Sequence, residues 1–163
     1  MTEPSMTATT TRATFHEYLL ALAKAAATRG TCAKRQVGAV VADNAGFIVA
    51  VNYNGAPSGQ PHCIDSPCKA LTLPAPHSHL ACRAVHGEAN ALLTAGQRAK
   101  GGSMSCTTSP CYECSKLIVA AGIKTLVVGE VNRLFDDEVV YSQTPRQLLT
   151  TAGVALVFLE SQL

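Results

Sequence analysis

His86, Gly87 and Glu88 open an apolar stretch, and Pro110, Cys111, Tyr112, Glu113 and Cys114 follow about one helix and one strand later. A lone C-x-x-C pair constrains a chain little. Joined to H-x-E, with each half at a helix start, it demands a fold in which three side chains converge. His86, Cys111 and Cys114 are then three soft or borderline ligands for zinc, with the fourth tetrahedral position left to water. Glu88 lies two residues from the histidine, where a carboxylate can handle that water's protons. Taken singly, His86 fits a buried helix residue, Glu88 a first-turn capping carboxylate, and the two cysteines half of a structural zinc site. Taken jointly, the pattern favours a catalytic centre.

The chain around the motifs reads as one compact body. At 163 residues it is long enough for a single domain with a full hydrophobic core. Apolar residues make up 47% and charged residues 15%, so most of the chain is expected to be ordered. A net charge of +2 is too small to argue for nucleic acid as a partner. Lys24 interrupts the alanine-rich run from Leu19 to Ala27, and no stretch approaches a membrane span. Residues 1–13 are Thr-rich, without an apolar segment that could act as a secretory signal, and are expected to be a disordered N-terminal tail ahead of one domain over 14–163. Seven cysteines in such a chain point to metal ligands and buried thiols, and to a cytoplasmic protein.

An alternating α/β order follows from the patterning. Thr14 and Glu17 have capping-box spacing, and Phe15, Leu19, Leu22 and Ala26 share a face, which predicts a helix near 14–29 ending at Gly30. Val37 to Ala42 and Phe47 to Tyr53 are β-rich runs joined by Asp43, Asn44, Ala45 and Gly46, a hairpin pattern. A long irregular segment, roughly 54–82, carries five prolines. From His86 the expected order is helix to about Ala99, strand Ser103 to Thr107, helix Cys111 to Ala121 and strand Thr125 to Val128. A helix after Pro145 and a strand Val154 to Leu159 complete it.

Between about Thr31 and Leu156 the chain resembles the deoxycytidylate deaminases of the cytidine deaminase superfamily. The resemblance rests on TCAKRQVGAVV (31–41), YNGAPSG (53–59), HC (62–63), CRAVHGEANAL (82–92), SPCYECSKLIVAAGIK (109–124) and LLTTAGVAL (148–156). H-x-E with P-C-x-x-C is the signature of the zinc-dependent nucleobase deaminases at large. The YNG-x-P-S-G loop, the cysteine spacing and the long insertion narrow it to this branch. The implied fold is a three-layer α/β/α sandwich with a five-stranded mixed sheet, its metal site at the N-termini of two adjacent helices.

The resemblance implies hydrolysis of dCMP to dUMP and ammonia, in the supply of pyrimidine deoxynucleotides. His86, Cys111 and Cys114 would hold the catalytic zinc, and Glu88 would move protons without binding it. Some relatives carry a second, structural zinc that ties the insertion to the core. Positions resembling its ligands are Cys32 and Cys63, with Cys68 and Cys82 able to close a four-cysteine site. His62, His77 and His79 rival them for one position, and Cys106 reads as core. Asn54 is carried over as a sugar contact. The backbone of Gly87, where relatives carry alanine, is expected to face the base, and its missing methyl to admit a 5-substituted pyrimidine. Arg35 and Lys34 are the candidates for the phosphate, with ordinary solvated charges an equal alternative. Ser58 and Ser109 are candidate hydrogen-bond partners. Asn52 stands where many regulated members carry glycine, so control by dCTP and dTTP is not carried over. Relatives assemble as hexamers or smaller rings, which implies a homo-oligomer acting on a small-molecule nucleotide.

Two other readings stay open. One is a deaminase of a 5-modified dCMP or another cytosine nucleoside or nucleotide; the insertion and weak charge argue against tRNA. The other is a non-catalytic, zinc-stabilised scaffold, against which the intact Glu88 counts.

Overall fold

A computed structural model describes residues 11–74, 77–137 and 142–159. The expected N-terminal tail, apart from residues 11–13, lies outside them, as do the last four residues. The first helix, α1 (Phe15–Ala27), starts where the capping box predicts: the Thr14 hydroxyl accepts from Glu17 N, and the Glu17 carboxylate accepts from Thr14 N. Its buried face differs from the predicted one. Leu19, Leu20, Ala23 and Ala26 are buried, Leu22 is half-buried, and Phe15 is exposed. The reason lies in strand β1 (Gly38–Ala42), which α1 crosses at Gly38. A Cβ on Gly38 would overlap the Ala23 carbonyl oxygen, so the small residues of the helix, not its aromatic, turn inward.

Strand β2 (Ile48–Tyr53) returns antiparallel to β1. Asp43 organises the turn between them, its Oδ1 accepting from Ala45 N and Phe47 N, while Gly46 takes φ +87°. Then come α2 (His77–Leu80), α3 (Gly87–Ala95), β3 (Ser103–Thr108), α4 (Tyr112–Ala120), β4 (Thr125–Glu130), α5 (Pro145–Thr151) and β5 (Ala155–Phe158). The sheet order is β2-β1-β3-β4-β5, antiparallel across the first two junctions and parallel across the last two. It is the expected five-stranded mixed sheet.

Side-chain alternation splits the core into two. Val40 and Ala42 pack on one face against Leu19 and Ala23 of α1. Ala39, Val41, Met104, Cys106, Leu126 and Val128 face the other way, against Ala91 and Leu92 of α3, Ile118 of α4 and Leu149 of α5. These are the three layers predicted. Helix α3 stops short of the expected Ala99: Gly96 takes φ +54°, and a 3₁₀ turn over Gly96–Ala99 replaces the last α turn. The insertion is less irregular than expected, since it holds α2 and a 3₁₀ turn at Lys69–Leu71.

Candidate active site

The two motifs sit at two helix starts. His86 is the N-cap of α3 and Cys111 the N-cap of α4, reached from the end of β3 through Ser109 and Pro110. Cys111 also caps its own helix, its sulfur accepting from Cys114 N at 3.5 Å. Among the described residues, only His86, Cys111 and Cys114 bring three metal-ligand atoms of different residues within 4.8 Å of one another. His86 Nδ1 lies 3.5 Å from Cys111 Sγ and 3.4 Å from Cys114 Sγ. A tetrahedral zinc, bonded at about 2.3 Å to sulfur and about 2.0–2.1 Å to nitrogen, separates such atoms by about 3.6 Å. The triangle fits the ion.

The electrostatics fit it too. The contact with Cys114, helped by His86 and opposed by burial, holds the Cys111 thiol down at about 4. Cys114 is pushed far up, first by the Cys111 thiolate, then by burial and by Glu88. The Cys111 thiolate raises His86 to about 8. Two thiols this close cannot both ionise against each other, and a dication removes that obstacle.

Glu88 stands beside this triangle in the first turn of α3, only 3% exposed. Burial raises its pKa to about 7, opposed by a hydrogen bond to its own backbone and by His86. Beneath it lies Cys106 on β3, fully buried, its thiol pushed well up by burial and by the Glu88 charge. The expectation that Cys106 is core holds, and it also floors the carboxylate.

Other predicted residues meet different fates. Asn54 is buried; its Oδ1 accepts from Val37 N at 2.9 Å and its Nδ2 donates to Arg35 O at 2.7 Å. The Ser109 hydroxyl is 5% exposed and accepts from Asn132 N, shaping the chain after β4. Ser58 and Lys34 are exposed. Arg35 reaches Thr108 Oγ1 at 3.3 Å and Glu130 Oε1 at 3.4 Å, at the end of β3 and β4 beside the Cys111 turn.

The expectation that the missing methyl of Gly87 admits a 5-substituted pyrimidine requires correction. A Cβ there would lie 2.8 Å from Val37 O and 3.4 Å from both Tyr53 C and Asn54 N, so it points into the sheet backbone. The missing methyl lets α3 sit close on β1 and β2; it does not widen a substrate pocket. Gly87→Ala is therefore expected to lower stability by about 1–3 kcal/mol. Relative kcat/KM for dCMP and 5-methyl-dCMP should stay unchanged. Denaturation midpoints and a two-substrate assay check this.

Of the remaining cysteines, Cys63 is buried, Cys32 and Cys68 are half-buried, and Cys82 is exposed. Burial first, then Cys68 and Cys32, raise the Cys63 thiol. No such neighbour relation involves Cys82. The side chain of His79 lies outside the described residues. An organiser the sequence did not suggest is Arg83, which donates to Pro61 O, Ser66 Oγ and Pro67 O at 3.4, 3.1 and 2.7 Å. Two residues on, Val85 and Gly55 exchange backbone hydrogen bonds. The insertion thus hangs from the residues that lead directly into His86.

Residues 13–130 match the family described as the cytidine and deoxycytidylate deaminase zinc-binding region. A deoxycytidylate deaminase of Mycobacterium phage D29 is 40% identical over 122 residues, which are 71% of this chain and 94% of the phage protein. The deoxycytidylate deaminase of Saccharomyces cerevisiae is 34% identical over 129 residues; they are 78% of this chain, which spans only 41% of the yeast protein. Among solved structures, a dCMP deaminase of the cyanophage S-TIM5, in complex with dCMP and dUMP, superposes with a TM-score of 0.71 at 27% identity, covering 91% of this chain and 99% of that one.

Proposed function

The chain belongs to the cytidine and deoxycytidylate deaminase zinc-binding family, and from that membership we propose that it hydrolyses dCMP to dUMP and ammonia. The observation that carries the reading is a buried carboxylate, Glu88, set beside a zinc-sized His86–Cys111–Cys114 triangle without belonging to it. A phage relative matched over 94% of its own length and a structural neighbour in complex with dCMP and dUMP support dCMP as the substrate. The scaffold reading has no use for such a carboxylate.

Zinc held by these residues supplies the Lewis acidity that makes water acidic near neutral pH. Glu88 does the proton work. It takes a proton from the attacking water and passes it to N3 of the cytosine, which makes C4 electrophilic. The water oxygen adds at C4, and Glu88 then moves that oxygen's remaining proton to the amino group, which departs as ammonia and leaves the C4 carbonyl of dUMP. The helix N-termini at Gly87 and Tyr112 favour the negative charge gathered at the site.

For the rest of the substrate, Arg35 is our candidate phosphate partner, with Lys34 beside it. Its contacts are long, and the one to Glu130 is solvent-exposed and therefore exchangeable. Asn54 retains one donor and one acceptor for a sugar hydroxyl, and the Gly87 backbone, Ser58 and Ser109 remain candidates near the base. No helix among the described residues is long and apolar enough to cross a membrane, and we read the enzyme as cytoplasmic. Leu93 on α3 and Leu117 on α4 are 78% and 46% exposed, which supports a homo-oligomer. The deciding experiment is ammonia release from dCMP against cytidine, deoxycytidine, dCTP and 5-methyl-dCMP. A clear preference for dCMP is expected, and a preference for any other member replaces it as substrate.

We also infer a structural zinc at Cys32, Cys63, Cys68 and Cys82, supported by Cys68 and Cys32 both acting on the buried Cys63 thiol. The metal would have to draw them together, since no three of them stand within ligand reach of one another. Elemental analysis should then find about two zinc ions per chain. Cys63→Ser should remove one and lower the melting temperature, and Cys111→Ser should remove the other. One zinc per wild-type chain, in protein never exposed to chelator, rules the second site out.

A further inference from the structure

We propose that Asn90 is a positioning residue: it fixes the first turn of α3 on the sheet and so sets His86 and Glu88 against the thiols of α4. The inference rests on the reading of His86, Cys111 and Cys114 as the metal site. Asn90 follows His86 by four residues and Glu88 by two, one helical turn from the ligand. Its Nδ2 donates to Tyr53 O, the last residue of β2, at 2.9 Å. Gly87, in the same turn, lies against Tyr53, Asn54 and Val37 closely enough to leave no room for a side chain. One turn of helix therefore grips one stretch of strand at two points.

That stretch is itself held. Asn54 N donates to Val37 O at 3.0 Å, Val37 N donates back to Asn54 Oδ1, and Asn54 Nδ2 donates to Arg35 O. Hydrogen bonds thus run without a break from the start of β1, through the end of β2, into the turn that carries His86 and Glu88. The thiols belong to a separate body. Cys111 and Cys114 are fixed by the N-cap of α4, where Ser115 Oγ donates to Cys111 O at 2.9 Å. The 3.4 and 3.5 Å separations between His86 and the sulfurs are consequently set by how α3 docks. A metal triangle tolerates little drift, since ligands must be held to roughly 0.5 Å.

The same helix and strand supply a control. One turn further from the site, Asn52 Nδ2 donates to Thr94 Oγ1 at 2.8 Å and to Asn90 O at 3.3 Å. This contact also ties α3 to β2, mainly through Thr94 one turn beyond Asn90, and it reaches Asn90 only at its main-chain carbonyl. Asn90→Asp, which keeps the shape and removes the donor, and Asn90→Ala are to be compared with Asn52→Ala in three measurements. These are zinc loss to EDTA, kcat and KM for dCMP, and the melting temperature.

Both Asn90 variants should lose zinc about 10–100-fold faster and lose about 10–100-fold in kcat, the range for groups that orient metal ligands. KM for dCMP should move by less than about threefold, because Asn90 is none of the candidate substrate contacts and Asn54 keeps its own bonds to Val37 and Arg35. Asn52→Ala should lower the melting temperature comparably while keeping zinc loss and kcat within about twofold. Should Asn90→Asp fail to fold, Asn90→Ala decides. Zinc retention in Asn90→Ala within about twofold of wild type overturns the proposal, and so does a matching loss in Asn52→Ala, which would make both residues merely structural. A wild-type protein inactive on dCMP sinks the functional reading instead, and the EDTA comparison still decides Asn90.

Discussion

Glu88→Gln should keep its zinc and lose turnover by about 10²- to 10⁴-fold. The amide preserves the shape of the side chain and its place in the first turn of α3, but it cannot take up a proton at one step and release it at the next. The metal is untouched because Glu88 lies outside the ligand triangle. A zinc-replete variant with near-normal kcat would remove the carboxylate from the mechanism. The metal-free protein offers a second reading of the same residue. Burial lifts Glu88 from 4.5 to about 7, so the folded state holds a proton that the unfolded chain releases. Its contribution to stability is present below about 4.5 and is lost as pH rises through about 7. Urea midpoints of the chelated wild type should fall across that window more steeply than those of chelated Glu88→Gln.

The second large effect is expected far from the chemistry. Gly38→Ala should cost about 3 kcal/mol or more, because the new methyl meets the main chain of α1 at Ala23 and not a side chain that could turn away. The helix must lift off β1, opening the core between Leu19, Ala23, Val40 and Ala42. The midpoint of urea unfolding should drop with its slope unchanged. A midpoint within experimental error of wild type would mean that α1 shifts freely, against the packing described.

The same glycine shows why some of the molecule was legible in the sequence and some was not. His86, Glu88, Cys111 and Cys114 were readable because few side chains can bind zinc or carry protons, and their spacing along two helix starts is short-range. Thr14 and Asp43 were readable for a similar reason, since caps and turns are built from neighbours. The inward face of α1 was misassigned because it depends on Gly38, eleven residues beyond the helix end. Gly87 was misassigned because whether an absent methyl opens a pocket or admits a strand is decided by what packs there. The roles of Arg83 and Asn90 were not readable: each acts chiefly through backbone carbonyls, and any residue supplies those.

The backbone pairing of Gly55 with Val85 has a consequence for how this family can vary. It brings the two ends of the insertion side by side before either reaches the metal site. Everything between them is a closed excursion, and doubling or halving such a loop changes its closure entropy by only about 0.6 kcal/mol. A short turn grafted from Gly55 to Val85 would give up Ser58 and three cysteines of the inferred structural zinc, yet leave the sheet and the starts of both helices in register. Selection can rewrite that excursion while the ligands that follow it stay still.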